Sequence, residues 1–235
     1  EGLDFPICVL RTSGNYFWAR AMRLGVQSLD IGILDTVVFY NDDVVFYDDA
    51  LERLLHLHVS NLDAVLTGAM VDSNGKLSYG GQKSKDKRNK CEFEIAPPDP
   101  NDVVVIDSFN MNLLLVPGRV LLEYGFFPAY FIHHSADFWY GYMLKLHKVR
   151  ILLSPGFFGI CDRNVDAEII NRHKSIVDNL RSFFHPKSYP IGQMKAYNIE
   201  CNGILWGTLF FVYPILKIIL TILKNKVFYQ LENKN

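Results

Sequence analysis

Short runs of β-branched and aromatic residues, separated by stretches with helical spacing, constrain the fold of this chain most strongly. The runs at Thr36–Tyr40 and Ala64–Val71 have the length and composition of buried strands. Between them, residues 48–58 place apolar side chains three and four positions apart, which indicates a helix with Asp48 or Asp49 as its cap. Strands that alternate with helices predict an α/β fold with a mostly parallel sheet flanked by helices.

The rest of the first two thirds of the chain follows the same alternation. A helix is predicted over residues 16–29, a hairpin turn at residues 72–75 and a polar surface loop over residues 82–101. Strands are also predicted over residues 3–10, 102–106, 113–116 and 149–153, and a helix over residues 137–146.

Composition excludes several classes of function. The formal net charge is -1, and the basic stretch at residues 83–90 has no interleaved aromatic residues, so nucleic-acid binding is not predicted. The four cysteines are scattered without CxxC spacing, which argues against a structural zinc site. Four cysteines in 235 residues do not require disulfides, so a reducing, cytoplasmic compartment is expected.

The composition changes near residue 165. We therefore expect a domain over residues 1–165 and a helical C-terminal extension over residues 166–235, which begins with a polar helix over residues 166–184. Residues 203–223 are the most apolar stretch and are about long enough to span a bilayer. Because Pro214 and Lys217 interrupt this stretch, an amphipathic helix on a membrane surface is preferred. A transmembrane span and a helix packed on the domain remain alternatives.

An acidic motif, Asn41-Asp42-Asp43, directly follows the predicted strand Thr36–Tyr40. Two adjacent carboxylates after a buried strand are costly unless a cation or hydrogen-bond donors satisfy them. Ligands of open α/β sheets bind at the carboxyl ends of strands, and carboxylate oxygens suit Mg²⁺ or Mn²⁺. From these residues alone, an ordinary turn or a helix cap remains an equal alternative.

A series of motifs around this acidic pair occurs in a fixed order. WARAMRLG at residues 18–25 precedes VVFYNDDV at residues 37–44. The later motifs are LSYGG at 77–81, NMN at 110–112, HHSADFWYG at 133–141 and PGFFGICDRN at 155–164. In this order, the motifs resemble those of one branch of the family 2 glycosyltransferases, over most of the chain.

The resemblance implies a GT-A, Rossmann-like fold that transfers a sugar with inversion from a nucleotide-sugar donor, such as a UDP- or dTDP-sugar. It assigns Asp43 as the ligand of Mg²⁺ or Mn²⁺, with Asp42 and Asn41 supporting the metal or contacting the ribose. It assigns Asp137 as the general base that deprotonates the acceptor hydroxyl. The alternative for Asp137 is a helix N-cap, since helical spacing begins there.

The same resemblance implies further donor- or acceptor-binding residues, each with a structural alternative. Tyr79, Gly80 and Gly81 would let a backbone loop approach the sugar, although a plain hairpin also needs glycine. Asn112 would lie in the acceptor pocket, where Met111 replaces the glycine usual in the family. His133 would contact a phosphate or the acceptor, or pack beside the aromatic residues 126–131.

A departure from the family pattern lies at the start of the chain. The strands that hold the nucleotide base and ribose in the family are not found before Ser13. We therefore expect an N-terminally incomplete domain that binds nucleotide poorly by itself.

Two hypotheses for function follow, with a weaker third. The first is a metal-dependent glycosyltransferase that acts on a polysaccharide or lipid-linked acceptor at the inner face of the plasma membrane. The second is a catalytically inactive fragment that binds a membrane or a partner. A nucleotidyltransferase would need a glycine-rich, basic phosphate loop near the start, and the sequence has none there.

Overall fold

The computed structural model of the chain describes residues 6–163 and 174–232. The strands in these residues are β1 (Thr36–Tyr40), β2 (Val45–Phe46), β3 (Ala64–Val71), β4 (Leu77–Tyr79), β5 (Gly81–Ser84), β6 (Phe93–Ile95), β7 (Val104–Val105), β8 (Ser108–Phe109), β9 (Leu113–Pro117) and β10 (Arg150–Ile160). The helices are α1 (Trp18–Gln27), α2 (Ala50–Val59), α3 (Gly118–Tyr124), α4 (Ala136–Leu146), α5 (Ile176–Phe183) and α6 (Ile191–Glu232).

The central sheet has seven strands and mixed strand direction. Its main order is β1-β9-β3-β10-β2, with β4 paired to β3 and β7 paired to β10. Within the described residues, only β3 and β10 pair in parallel, whereas β9 runs antiparallel to both β1 and β3. The expectation of a mostly parallel sheet is therefore wrong, although the α/β class is confirmed.

Burial on both faces explains why the sequence pattern does not predict strand direction. All eight residues of β3 are buried, and so are all five of β9. A strand covered on both faces is continuously apolar whether it is parallel or antiparallel, so neither such runs nor their alternation with helices determines strand direction. Here antiparallel strands have the same pattern because helices cover both faces of the mixed sheet.

The two faces of β3 belong to different parts of the core. Leu66 and Met70 pack in a cluster with Leu54 of α2 on one face. Val65 and Ala69 belong to a larger cluster on the other face. That cluster includes buried side chains of α1, α3, α4 and the first part of α6, with the aromatic residues of the loop before α4. The sheet is thus a middle layer between helices.

A small second sheet lies beside the central one, in the order β6-β5-β8. It overturns part of the predicted loop over residues 82–101, because β5 and β6 pair within that range. Asp107 links this sheet to α4, since its carboxylate accepts from the backbone N–H of Ser84 at 2.8 Å and pairs with Lys145 at 2.7 Å.

The N-terminal segment differs from the prediction. Residues 6–10 form no strand, and Ile7 and Val9 are 86% and 73% exposed. The rest of the predicted strand, residues 3–5, and part of the polar helix predicted over residues 166–184 lie outside the described residues. Of that helix, the structure shows α5.

Helix α6 consists of two helical parts joined at Gly203, whose φ of 76° breaks the helical conformation. The parts approach closely, since a Cβ at Gly207 would lie 2.5 Å from the Cα of Ile199. After the break, Leu205, Leu216 and Leu220 are 71%, 55% and 67% exposed, whereas Ile222 is buried. By length and composition alone, Ile191–Lys226 is apolar enough to cross a membrane.

Candidate functional site

The acidic motif forms a turn at the end of β1, as its place in the sequence suggested. The backbone N–H of Asn41 donates to the carbonyl of Asn112 at 3.3 Å, which extends the β1–β9 pairing by one residue. The indole N–H of Trp18 donates to the side-chain oxygen of Asn41 at 2.9 Å. Asn41 is thereby fixed to α1, and the exposed side chains of Asp42 and Asp43 follow it.

A cavity of about 400 Å³ brings most of the predicted site residues together. It lies between the end of β1, the turn from β8 to β9 and the beginning of α4. The predicted residues that line it are Asn41, Asp42, Asp43, Tyr79, Asn112, His133 and Asp137. Trp18, Asn110, Met111, His134, Ser135 and Phe138 complete the lining.

Gly80 and Gly81 do not line this cavity. Gly80 has a φ of 148°, and a Cβ there would lie 3.0 Å from the Cα of Ala69 on β3. A Cβ at Gly81 would lie 2.9 Å from a methyl group of Ile106. Both glycines thus permit close packing of β4 and β5 on the core, a structural role that differs from the plain hairpin given as their alternative.

Asp137 lies in the first turn of α4 and is mostly withdrawn from water. Burial raises the pKa of its carboxyl to about 6, against the opposing effect of hydrogen bonds from the Phe138 backbone N–H and the Asn110 side chain. The Phe138 contact is 2.9 Å long. A carboxylate with this pKa is largely ionised at neutral pH and remains a better proton acceptor than an ordinary aspartate.

The orientation of Asn110 depends on Gln82, a residue that the sequence did not single out. The side-chain N–H of Gln82 donates to the side-chain oxygen of Asn110 at 2.7 Å. With its oxygen engaged in this way, the amide of Asn110 directs its N–H group to Asp137. Asn110 lies in the same NMN motif as Asn112, so the sequence offers it as a site residue. Nothing in the sequence marks Gln82 in this way.

His133 is partly buried beside the cavity, and its ring centroid lies 6.2 Å from that of Phe17. Burial, with additional repulsion from Lys187, His134 and His185, lowers the pKa of His133 to about 4. The imidazole is therefore neutral at physiological pH, and its Nδ1 atom has no hydrogen-bond partner in the described structure. A neutral ring can still donate or accept one hydrogen bond toward a ligand.

The loop that carries His133 is held by α6. The side-chain oxygen of Gln193 accepts from the backbone N–H of Ile132 at 2.8 Å, and its amide donates to the carbonyl of His134. The first part of α6 therefore supports the site, although the sequence assigned it to a separate extension.

Cys161 contributes an unexpected contact at the acidic end of the cavity. Its buried thiol accepts a hydrogen bond from the Asn112 amide at 3.4 Å and donates to the carbonyl of Asp162 at 3.9 Å, beside the carboxylate of Asp43. Burial, reinforced by the charge of Asp43, raises the pKa of Cys161 to about 11, so it stays a thiol at neutral pH. Cys161 is therefore a neutral neighbour of Asp43 at the acidic end of the cavity.

The donor set at the acidic end fits a metal ion only in part. Asp42 and Asp43 supply hard oxygen ligands at one edge of the cavity. Among residues 6–163 and 174–232, no group of three or more His, Cys, Asp or Glu side chains is placed to hold a metal ion. Mg²⁺ commonly takes one or two carboxylates and completes its shell with water and substrate phosphates, and these residues fit that mode.

Comparison with known proteins adds no family assignment. No protein-family model matches the chain, and no curated protein matches it at a significant level.

Proposed function

We propose that this chain is a metal-dependent glycosyltransferase that moves a sugar from a nucleotide-sugar donor to a saccharide or lipid-linked acceptor. One observation carries the proposal. The exposed acidic pair at the end of β1 and the pKa-shifted carboxyl of Asp137 line the same cavity. A cation-binding group and a proton acceptor are the two chemical parts that transfer to a hydroxyl from a diphosphate leaving group requires.

The residues divide the chemistry between the two ends of the cavity. At one end, Asp43 and Asp42 would hold Mg²⁺ or Mn²⁺, which supplies charge neutralisation of the diphosphate when bound. At the other end, Asp137 takes the proton of the acceptor hydroxyl as that oxygen attacks the anomeric carbon. Attack from the face opposite the leaving group inverts the anomeric configuration and needs no covalent intermediate.

The proposed function implies a GT-A fold, which we propose with it. Its support is the order of the sequence motifs and the position of the acidic turn beyond a strand end. The mixed sheet neither requires nor opposes it.

The second part of α6 supports a location at the membrane surface, on the cytoplasmic side in the proposed function. The side chains of Leu205, Leu209, Leu216, Leu220 and Leu223 leave 47–71% of their surface exposed. Gly207 and Ile222 are buried against the protein. Because one side of this helix packs on the protein and the other is bare and apolar, residues 203–223 suit a helix that lies on lipid.

The test is a donor screen of the full-length protein with UDP- and dTDP-sugars, Mn²⁺ and lipid-linked or free saccharide acceptors. We expect sugar transfer that requires the metal and is lost on Asp43→Asn and Asp137→Asn substitution. Full activity of either variant would contradict the role given to that residue.

A second candidate function is an inactive glycosyltransferase-like chain that binds a membrane through α6. The bare apolar side of α6 favours it independently of the cavity. In that case, the chain would bind vesicles equally well with and without Asp43 and Asp137, and no donor would be consumed.

A further inference from the structure

The loop between β5 and β6 meets the first part of α6 at a contact outside the cavity. The backbone N–H of Lys90 donates to the side-chain oxygen of Asn202 at 2.8 Å. The hydroxyl of Tyr197 donates to the carbonyl of Cys91 at 3.2 Å. These bonds fix the position of the backbone around Cys91 relative to α6.

The side chain of Cys91 points into this contact and meets a second cysteine. Its sulfur lies 3.3 Å from the side-chain nitrogen of Asn202 and 3.7 Å from the carbonyl oxygen of Tyr197. Cys201 lies one helical turn after Tyr197 and directly before Asn202, so the sulfur of Cys91 contacts the turn of α6 that carries Cys201. Both cysteines are reduced in the structure.

We propose that Cys91 and Cys201 are a redox modification site, which forms a reversible disulfide between the β5–β6 loop and α6. A disulfide requires two cysteines whose side chains already approach each other, because backbone movement otherwise adds strain. The sulfur of Cys91 already lies against the turn of α6 that carries Cys201, and the surrounding hydrogen bonds keep the two segments together. None of these residues lines the cavity, so the proposal does not depend on the proposed function.

The chemistry balances with a small-molecule disulfide, such as oxidised glutathione, as the oxidant. The partly exposed Cys91 reacts first, because its thiolate attacks one sulfur of the oxidant and releases one glutathione thiolate. Cys201 then loses its proton and attacks the Cys91 sulfur of the mixed disulfide, which releases the second glutathione. Two protein thiols are oxidised, and one glutathione disulfide is reduced to two thiols.

The environment of Cys201 explains the order of these steps. Its hydrogen bond with Cys91, together with burial, raises the pKa of the Cys201 thiol far above its usual value. Cys201 is also buried, whereas Cys91 is partly exposed. An external oxidant therefore reaches Cys91, and Cys201 acts as the resolving thiol.

A disulfide here would close a long loop over residues 91–201. Such a loop includes β8, β9, α4 and β10, so cross-linking restricts the unfolded chain strongly. We expect the Tm of the oxidised protein to exceed that of the reduced protein by about 10 °C.

The experiment uses the whole chain with Cys8→Ser, which removes an exposed thiol that could cross-link two molecules. The protein is equilibrated in reduced and oxidised glutathione, alkylated and digested, and the peptides are mapped by mass spectrometry without reduction. We expect a peptide that links residues 91 and 201, reversed by dithiothreitol. Cys161, a buried thiol that contacts Asp43, serves as the internal control and should stay unpaired.

Two variants keep the result interpretable. In Cys201→Ala, Cys91 should accumulate as the stable glutathione mixed disulfide, and in Cys91→Ser, Cys201 should remain unmodified. The redox-dependent Tm shift should be absent in both variants, and circular dichroism of the reduced proteins checks that they are folded. The proposal fails if the folded parent protein keeps glutathione on Cys91 without forming the link, or if Cys91 and Cys201 pair only under denaturing conditions.

Discussion

The carboxylates at the two ends of the cavity differ in their exposure to water. Asp42 and Asp43 are exposed on a turn, and one of them is contacted by a neutral thiol. Asp137 is largely withdrawn from water, and burial raises its pKa to about 6. The comparison teaches that the same functional group suits different tasks. An exposed pair offers its oxygens to a cation, whereas a desolvated carboxylate readily accepts a proton.

Replacing Asp137 tests the proton-accepting end and carries the largest expected effect. We expect Asp137→Asn to reduce the sugar-transfer rate by about 10²–10⁴-fold, because the amide cannot accept the acceptor's proton. Binding of Mn²⁺ and nucleotide should change little. Steady-state kinetics and Mn²⁺ titration separate the two effects, with Asp63→Asn, an exposed aspartate outside the cavity, as control.

The same substitution tests whether the folded protein strains the charged form of Asp137. Its pKa rises from 3.8 to about 6 on folding, so protonation of this carboxyl favours the folded state. This contribution to the unfolding free energy is complete below about pH 4 and is lost as pH rises through 6. Relative to wild type, the unfolding free energy of Asp137→Asn should increase by up to about 3 kcal/mol between pH 4 and pH 8. Urea denaturation at both pH values measures this change.

A constant packing penalty of the asparagine cancels in that difference. If the difference in unfolding free energy between wild type and Asp137→Asn does not change with pH, folding does not disfavour the charged form of Asp137. The proposed difference between the two ends of the cavity would then be wrong.

Replacing Asp43 tests the cation-binding end. We expect Asp43→Asn to weaken Mn²⁺ binding in the presence of nucleotide by at least roughly 10–100-fold, the range for loss of groups that only support metal ligands. The matched control is Asp48→Asn, because Asp48 is also exposed near this turn but does not line the cavity. Equal weakening in both variants would indicate a general effect of surface charge.

The positions of these groups were only partly predictable from the sequence. β1 and β3 were predicted with their observed bounds, since buried apolar runs end at polar turns. The start of α4 near Asp137 and the turn at Asp42–Asp43 followed from similar local signals. Local pattern therefore located the elements at both ends of the cavity, whereas the role of Asp137 was implied only by the family resemblance.

The remaining features depend on contacts between distant parts of the chain. Strand direction in the sheet depends on how β9 inserts between β1 and β3, which no local pattern encodes. Gln82 reaches Asp137 only through Asn110, and Cys91 meets Cys201 across a large sequence separation. The sequence allows the paired glycines after Tyr79 to form a hairpin or to approach a ligand, and it does not predict their close packing against Ala69 and Ile106.

Asn110 tests how hydrogen bonding moderates the buried carboxylate. Removing its amide in Asn110→Ala withdraws a donor that favours the charged form of Asp137. We expect the pKa of Asp137 to rise by about one unit, so the acidic limb of the pH–rate profile moves to higher pH. Gln82→Ala should produce a smaller shift in the same direction, because Asn110 remains but its amide is no longer fixed. An unchanged limb in both variants would remove Asn110 and Gln82 from the proposed mechanism.

Trp18 carries the smallest expected effect, and it tests whether the exposed end needs support from the core. Its indole N–H fixes Asn41, and its ring stacks on Phe127 with centroids 6.0 Å apart. Trp18→Phe keeps an aromatic ring but removes the donor, which should cost about 1 kcal/mol of stability. Since Asn41 directly precedes the acidic pair, Mn²⁺-dependent nucleotide binding should weaken by about fivefold, whereas the acidic limb set by Asp137 should not move. A shift of that limb would show that the two ends of the cavity are coupled, and the division of tasks between them would then have to be abandoned.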